Sequence, residues 1–309
     1  MELGLTRLFD SDSVNHVEES RAFNVAVQAA GDQPNADPST PEGLLRARSQ
    51  LSSRPPSPRA VERIARFDKR EVSVRIITPK QGQPWAAYLQ IHGGGFYMDS
   101  AARSDIRNAV LADAVGITVV SVDYRLAPEY PWPAAPDDCE TAALWMVEQA
   151  EELFGTPHLL IGGASAGANL ALATLLRLRD QGKVQPFAGA VLQFGAFDLS
   201  GLSPSGRIYA DEWFIQAYAG HVADRTNPDI SPLYGDLRGL PPVLLVAGAL
   251  DILFEDSLAM AGRLSAAGNE VDLRVYPEST HAFTSFQTGM ANLAIKGIEE
   301  WLTGRLGQW

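Results

Sequence analysis

Gly163-Ala164-Ser165-Ala166-Gly167 is the segment of this chain best suited to nucleophilic chemistry. It follows a short apolar run, 158–161, and opens an Ala/Leu-rich helical stretch, 166–181. A serine in so sharp a strand-to-helix turn exposes its hydroxyl at the end of the strand. Small residues two before and two after it avoid clashes across the turn. The amino terminus of the following helix favours negative charge developing beside it. A bland turn with a capping serine is the alternative, and the flanking strand and helix weigh against it. The glycines do not form G-x-G-x-x-G and no Gly-Lys-Ser/Thr follows, so a nucleotide cradle is not indicated.

An attacking serine needs a base, a carboxylate to hold that base, and donors for the oxyanion. The chain has five histidines: His16, His92, His158, His221 and His281. His16 lies in the front helix, His158 opens a strand, and His221 could line a pocket from an insertion. His281 follows the last apolar strand, where a base belongs. Asp251 follows the strand 243–247 and is preferred as its partner over Asp198, which also ends a strand. Glu255, Asp256 and Glu278 read as solvated or helix-capping. The order Ser165, Asp251, His281 is that of a strand-end triad. For the oxyanion, residues 88–91 lead into His92-Gly93-Gly94-Gly95-Phe96. Glycines at a strand end let backbone N–H groups converge. Gly93 and Gly94 are the expected donors, joined by the Ala166 N–H. Gly95 serves the turn and His92 orients the loop. Each donor is worth ~2.7–4 kcal/mol in the transition state.

These residues need a frame of strands and helices. Strands are expected at 61–67, 71–78, 86–91, 117–122, 158–161, 188–194, 243–247 and 271–276. The first two form a hairpin turning at Asp68-Lys69. Helices are expected at 101–115, 137–152 and 166–181, after 247 to 267, and finally to about 302. That alternation is an α/β pattern, a mostly parallel eight-stranded sheet flanked by helices. Residues 1 to about 50 read as amphipathic helix, broken by a Pro/Asp/Ser stretch at 33–41, with a short second helix from Pro41. Residues 52–58 read as a linker. The aromatic-rich interval 199–240 breaks the βα rhythm and reads as an insertion over the carboxyl ends of the strands.

The formal net charge is −12, from 37 acidic and 25 basic side chains. Such a surface repels phosphate backbones and anionic lipid, so nucleic acid is not an expected partner. Cys139 is the single cysteine, which excludes an intrachain disulfide. The amino-terminal residues lack a basic region and an apolar core, so no signal peptide is read there. No run approaches ~18 apolar residues, so no membrane insertion is expected and the cytoplasm is the default location. Metal-ligand spacings such as His-Glu-x-x-His are missing, so no metal is expected.

Taken together, IHGGGF at 91–96, DYRLAPEYPWPAAPDD at 123–138, the elbow with Asn169-Leu170-Ala171, Asp251, and His281-Ala282-Phe283 resemble the bacterial hormone-sensitive-lipase-like (family IV) esterases. The resemblance covers roughly residue 61 to the carboxyl terminus. It implies the α/β-hydrolase fold with a helical cap. The chain is then one domain, with core at about 59–198 and 241–309 and cap at about 1–50 and 199–240. It also implies hydrolysis of short- to medium-chain acyl esters, no cofactor, and often a homodimer through the last strand and helix. The family usually has Asp or Thr where Ala164 stands, and Asp-Pro-Leu-Arg-Asp-Glu where residues 251–256 read Asp-Ile-Leu-Phe-Glu-Asp. Both departures remove polar or rigid groups near the site and spare the triad. Phe96, Tyr97, Met98, Trp213, Phe214 and Tyr218 are candidate pocket walls. Lactone, amide or carbamate hydrolysis would use the same triad. A non-catalytic receptor for a small ligand is the remaining alternative on this fold, and the presence of His281 argues against it.

Overall fold

Alternating apolar strands and Ala/Leu-rich helices must cover both faces of a sheet, and among the described residues they do so around nine strands. The structure, a computed structural model, describes residues 3–4, 8, 10–30, 37–51 and 55–305. The strands are β1 (Leu3–Gly4), β2 (Val61–Phe67), β3 (Arg70–Ile77), β4 (Ala87–Ile91) and β5 (Thr118–Val122), then β6 (Leu159–Ala164), β7 (Phe187–Gln193), β8 (Val243–Gly248) and β9 (Val271–Tyr276). Their order across the sheet is β1-β9-β8-β7-β6-β4-β5-β3-β2. β2 and β3 form an antiparallel hairpin, turned at Asp68 with φ 52°, and β3 is antiparallel to β5. The remaining neighbours are parallel.

The helices are α1 (Val17–Ala30), α2 (Pro41–Leu51), α3 (Asp105–Val115), α4 (Ala134–Phe154), α5 (Ala166–Asp180), α6 (Gly206–Tyr209), α7 (Trp213–Ala219), α8 (Phe254–Ala266) and α9 (Gly289–Thr303). Side chains of α4, α5 and α8 pack with Leu89, Ile161 and Leu245 on one face of the sheet. Those of α3 and α9 pack with Tyr88, Leu160 and Val246 on the other. β5 and β8 are buried at every position, as strands covered on both faces must be.

All eight strands expected from the pattern are present. The ninth, β1, lies in the stretch expected to be helical and pairs with the outer edge of β9 at Val271 and Asp272. Leu8 O also accepts from Val275 N at 2.9 Å. An edge strand offers unpaired backbone groups, and a short extended segment satisfies them. Two residues carry no periodicity, so the pattern could not announce it. The break expected at 33–41 and the linker at 52–58 lie partly outside the described residues.

The front segment and the insertion both sit against the loops at the carboxyl ends of the strands. Arg48 of α2 donates to Tyr97 O and Ala127 O, each at 2.8 Å. Arg21 and Asn24 of α1 hold Glu278, in the loop after β9. Asn169 of α5 donates to Ala196 O and Ile230 O at 2.7 and 2.9 Å, tying both ends of the insertion to the elbow helix.

Asp256 corrects the reading of a solvated or capping carboxylate. It is fully buried and accepts from Phe197 N at 2.7 Å, Asp198 N at 3.2 Å, Ser205 Oγ and Tyr209 OH. Burial pushes the carboxyl up, and those donors pull it back. A helix-start Asp looks the same in sequence whether water or a folded-over segment covers it. Asp256→Ala leaves several buried donors without an acceptor, each at a cost of ~1–3 kcal/mol. The expected loss of unfolding free energy in urea is about 3 kcal/mol. A loss below about 1 kcal/mol would contradict this role.

Candidate active site

The turn between β6 and α5 is one residue long. Ser165 occupies it with φ 55° and ψ −120°, a conformation that costs of order 1–3 kcal/mol for a residue with a Cβ. Neighbouring groups over-determine it. Ser165 N donates to Gln193 O of β7 at 2.9 Å, and Ser165 O accepts from Ala168 N and Asn169 N. Space is the second constraint. A Cβ at Gly163 would lie 2.4 Å from the Gly167 carbonyl carbon, and one at Gly167 would lie 2.2 Å from Ile91 O. Neither strand nor helix can retreat, because β6 is paired on both sides.

His281 Nε2 lies 3.0 Å from Ser165 Oγ. His281 Nδ1 lies 3.0 Å from both carboxylate oxygens of Asp251, whose side chain is wholly buried. With Nδ1–H donated to the carboxylate, Nε2 is left as the acceptor facing the serine hydroxyl. Leu253 N donates to Asp251 Oδ1 at 2.8 Å and fixes the carboxylate. The loops bearing Asp251 and His281 touch directly: Leu250 N bonds Ser279 O, and a Cβ at Gly248 would lie 2.3 Å from Ser279 O. Phe194 stands edge-on to the imidazole, with ring centroids 5.3 Å apart. Phe23 of α1 packs on Phe286 beyond His281, at 4.9 Å.

Asp198, the rival carboxylate, is spent elsewhere. It accepts from Ser200 N and Oγ, Ser203 N and Tyr234 OH, at the start of the insertion. His221 is exposed, faces Trp132, and is not part of the cavity wall.

The glycine loop packs against the elbow, since a Cβ at Gly93 would lie 2.8 Å from Ala164 O. Its peptides are held from behind. Tyr124 OH donates to His92 O at 3.0 Å and Gly93 O at 3.1 Å. Burial keeps this phenol well above its ordinary range, so it stays protonated and donating. His92 Nδ1 lies 2.8 Å from Gly93 O, and the imidazole stacks on the Tyr124 ring at 4.1 Å. Burial lowers the His92 pKa, so the ring is neutral at pH 7 with its proton on Nδ1. A trans peptide points its N–H away from its C=O. Pinning the carbonyls of His92 and Gly93 to Tyr124 therefore turns the N–H groups of Gly93 and Gly94 the other way. Tyr124 is the second residue of the stretch 123–138, but nothing in the sequence says that its hydroxyl reaches back to the glycine loop.

A cavity of about 500 Å³ opens beside Ser165. Of the expected walls, Phe96, Tyr97, Met98 and Phe214 line it. Trp213 and Tyr218 do not. Tyr218 is fully buried and stacked on Phe96 at 4.0 Å, and Trp213 borders a separate groove against α2. Both face away because α7 presents Phe214 to the cavity, a choice that depends on how the insertion docks. Tyr209 joins the wall instead, its hydroxyl held by Asp256. Among the described residues there is no group of His, Cys, Asp or Glu placed to share a metal, and no helix is long and apolar enough to cross a membrane.

Known proteins resemble this chain over most of its length. The model of the alpha/beta hydrolase fold family matches residues 88–285. Ethyl acetate hydrolase of Pseudomonas putida is 35% identical over 230 residues, which cover 70% of this chain and 72% of that one. The esterase of Pyrobaculum calidifontis superposes with a TM-score of 0.80 at 28% identity, over 91% of this chain and 97% of that one. A hormone-sensitive lipase from a metagenome library superposes with a TM-score of 0.77 at 30% identity, over 93% and 98%.

The elbow's crowding has a direct test. Gly163→Ala is expected to cost at least about 3 kcal/mol, since a methyl 2.4 Å from backbone cannot be absorbed. Gly262→Ala, in open space within α8, is expected to gain up to about 1 kcal/mol. Thermal unfolding of the two variants side by side checks both. Equal midpoints would contradict the packing described.

Proposed function

Because this chain belongs to the alpha/beta hydrolase fold family and, within it, to the hormone-sensitive-lipase-like serine carboxylesterases, we propose that Ser165 is its nucleophile, His281 its base and Asp251 the carboxylate that orients the base. The observation that carries this reading is the unbroken relay from Ser165 Oγ to His281 to Asp251, each link at 3.0 Å. The ester lies with its carbonyl carbon at Ser165 Oγ and its oxygen toward the Gly93, Gly94 and Ala166 N–H groups. His281 takes the serine proton as the C–O bond to the serine forms. The tetrahedral intermediate collapses, the alcohol leaves with the proton from His281, and an acyl-enzyme remains. Water, deprotonated by the same histidine, then attacks the acyl-enzyme and releases the acid. Asp251 stabilises the imidazolium throughout.

The cavity's aromatic wall and modest volume suit short- to medium-chain acyl esters, as does the ethyl acetate named for the Pseudomonas putida relative. The single cysteine is buried in α4, which suits a reducing compartment such as the cytoplasm. A homodimer through the last strand would have to displace β1 or build outside it, because β1 already occupies that edge. Light scattering of the pure protein checks this: a dimer built outside β1 is expected to be lost when residues 3–4 are removed, and one that displaces β1 is expected to be strengthened.

Two substitutions test the mechanism. Ser165→Ala is expected to lower turnover of nitrophenyl acetate by ~10³-fold or more, and retained turnover would sink the assignment. Tyr124→Phe keeps the ring stack and removes only the hydroxyl behind the oxyanion donors. It is expected to lower kcat by ~10–100-fold, with KM within about threefold, because those donors act on the transition state. A rise in KM with kcat unchanged would contradict the positioning of the loop.

A further inference from the structure

The cavity beside Ser165 has two chemically different walls. One is aromatic: Tyr97, Tyr209 and Phe214. The other is polar, and comes from the face of the sheet that α3 and α9 cover. It consists of Gln90 of β4, Ser104 and Arg107 at the start of α3, and Ser285 just after the base loop. Ala164, half-buried and adjacent to the nucleophile, lies along the same lining, and its methyl occupies little of the space there.

Gln90 is the anomaly in this wall. Side chains alternate across a strand, so Gln90 faces the same side as Tyr88, which packs in the apolar cluster of α3 and α9. Polar neighbours on this face, Ser121 level with Gln90 and Gln193 two residues further along the sheet, are matched. Ser121 of β5 accepts from Asn108 Nδ2 at 2.6 Å, and Gln193 of β7 accepts from Thr284 Oγ1 at 3.0 Å. The Gln90 Oε1 is buried with no hydrogen-bond partner among the described residues. Such an orphan costs ~1–3 kcal/mol, which a leucine of similar size would avoid. Turning the terminal amide over exchanges its oxygen and its NH2, so the wall can present an acceptor or a donor to the cavity. Apart from His281, the ionisable side chains along the lining include Arg107 and Asp99, and Asp99 is already held by Arg103 at 2.8 Å.

We infer that the wall of Gln90, Ser104, Arg107 and Ser285 is a subsite for an uncharged hydrogen-bonding substituent, a hydroxyl or a carboxamide, borne by the ester close to its scissile carbonyl. The inference rests on Ser165 being the nucleophile, since the subsite is defined by its distance from that residue. A polar wall that must be matched discriminates against an isostere with a methyl in place of the hydroxyl, because the isostere leaves buried groups unpaired.

The test compares such isosteres on the purified full chain. The acyl arm sets ethyl 3-hydroxybutyrate against ethyl 3-methylbutyrate. The alcohol arm sets 2-hydroxyethyl acetate against propyl acetate. The hydroxylated member of at least one pair is expected to have the higher kcat/KM by about fivefold to tenfold, the scale of one neutral hydrogen bond. The pair that responds identifies which half of the ester enters the subsite. Gln90→Leu is expected to bring that ratio close to one, with a melting temperature at or above that of the parent. Should the leucine variant not fold, Gln90→Met carries the same comparison. Ratios of one or below in both pairs overturn the inference, as does a ratio that the Gln90 variants leave unchanged. Turnover of propyl acetate that Ser165→Ala abolishes keeps the nucleophile reading standing in either case, so the two failures are distinguishable.

Discussion

A residue with a side chain held at φ 55° between a central strand and a helix is the constraint on which the rest of the molecule turns. The cost of that conformation, ~1–3 kcal/mol, is a sizeable part of the stability of an ordinary domain. Its maintenance explains features that are otherwise unrelated. β6 and α5 meet so closely that residues 163 and 167 must be glycine, and the backbone of Ile91 and His92 fills the remaining space. The hydrogen bond from Ser165 N to Gln193 O makes β7 part of the elbow. Asn169, one turn into α5, anchors both ends of the insertion. The strained serine is therefore held by the sheet, by the glycine loop and by the insertion at once.

The same economy governs the groups around it. A hydrogen-bond donor aimed at an oxyanion contributes ~2.7–4 kcal/mol, several times the net value of an ordinary hydrogen bond in a folded protein. Aim therefore matters more than the presence of the donors. Aim here is set from behind, by one buried phenol and one neutral imidazole acting on two carbonyls. On the other side, α1 braces the loop of His281 through Arg21, Asn24 and Phe23. The front segment and the insertion thus hold the loops around Ser165, Asp251 and His281 without contributing a member of the proposed triad.

The strands, and the residues of the proposed triad, are legible in the sequence for a definite reason. In a parallel sheet, strand ends carry the site, and strands announce themselves by apolar runs between turn residues. Ser165, Asp251 and His281 each follow such a run, so the topology alone implies their convergence. The choice of Asp251 over Asp198 was legible only as a preference, and three-dimensional partners separate the two. Trp213 and Tyr218 were misplaced because an aromatic-rich helix does not reveal which of its sides meets the cavity. Asp256, Tyr124 and Gln90 carry no local signal. Each derives its role from a partner, or from the lack of one, more than 30 residues away or on another layer. The two-residue strand β1 is too short for any period to show.

Covalent trapping of the nucleophile is the most direct test of the account. A nitrophenyl dialkyl phosphate phosphorylates a serine only where a base takes its proton and donors receive the developing phosphoryl charge. Intact-mass analysis after inactivation should give one adduct per chain, and peptide mapping should place it on Ser165. An adduct on any other residue, or full loss of esterase activity with Ser165 unmodified, would contradict it.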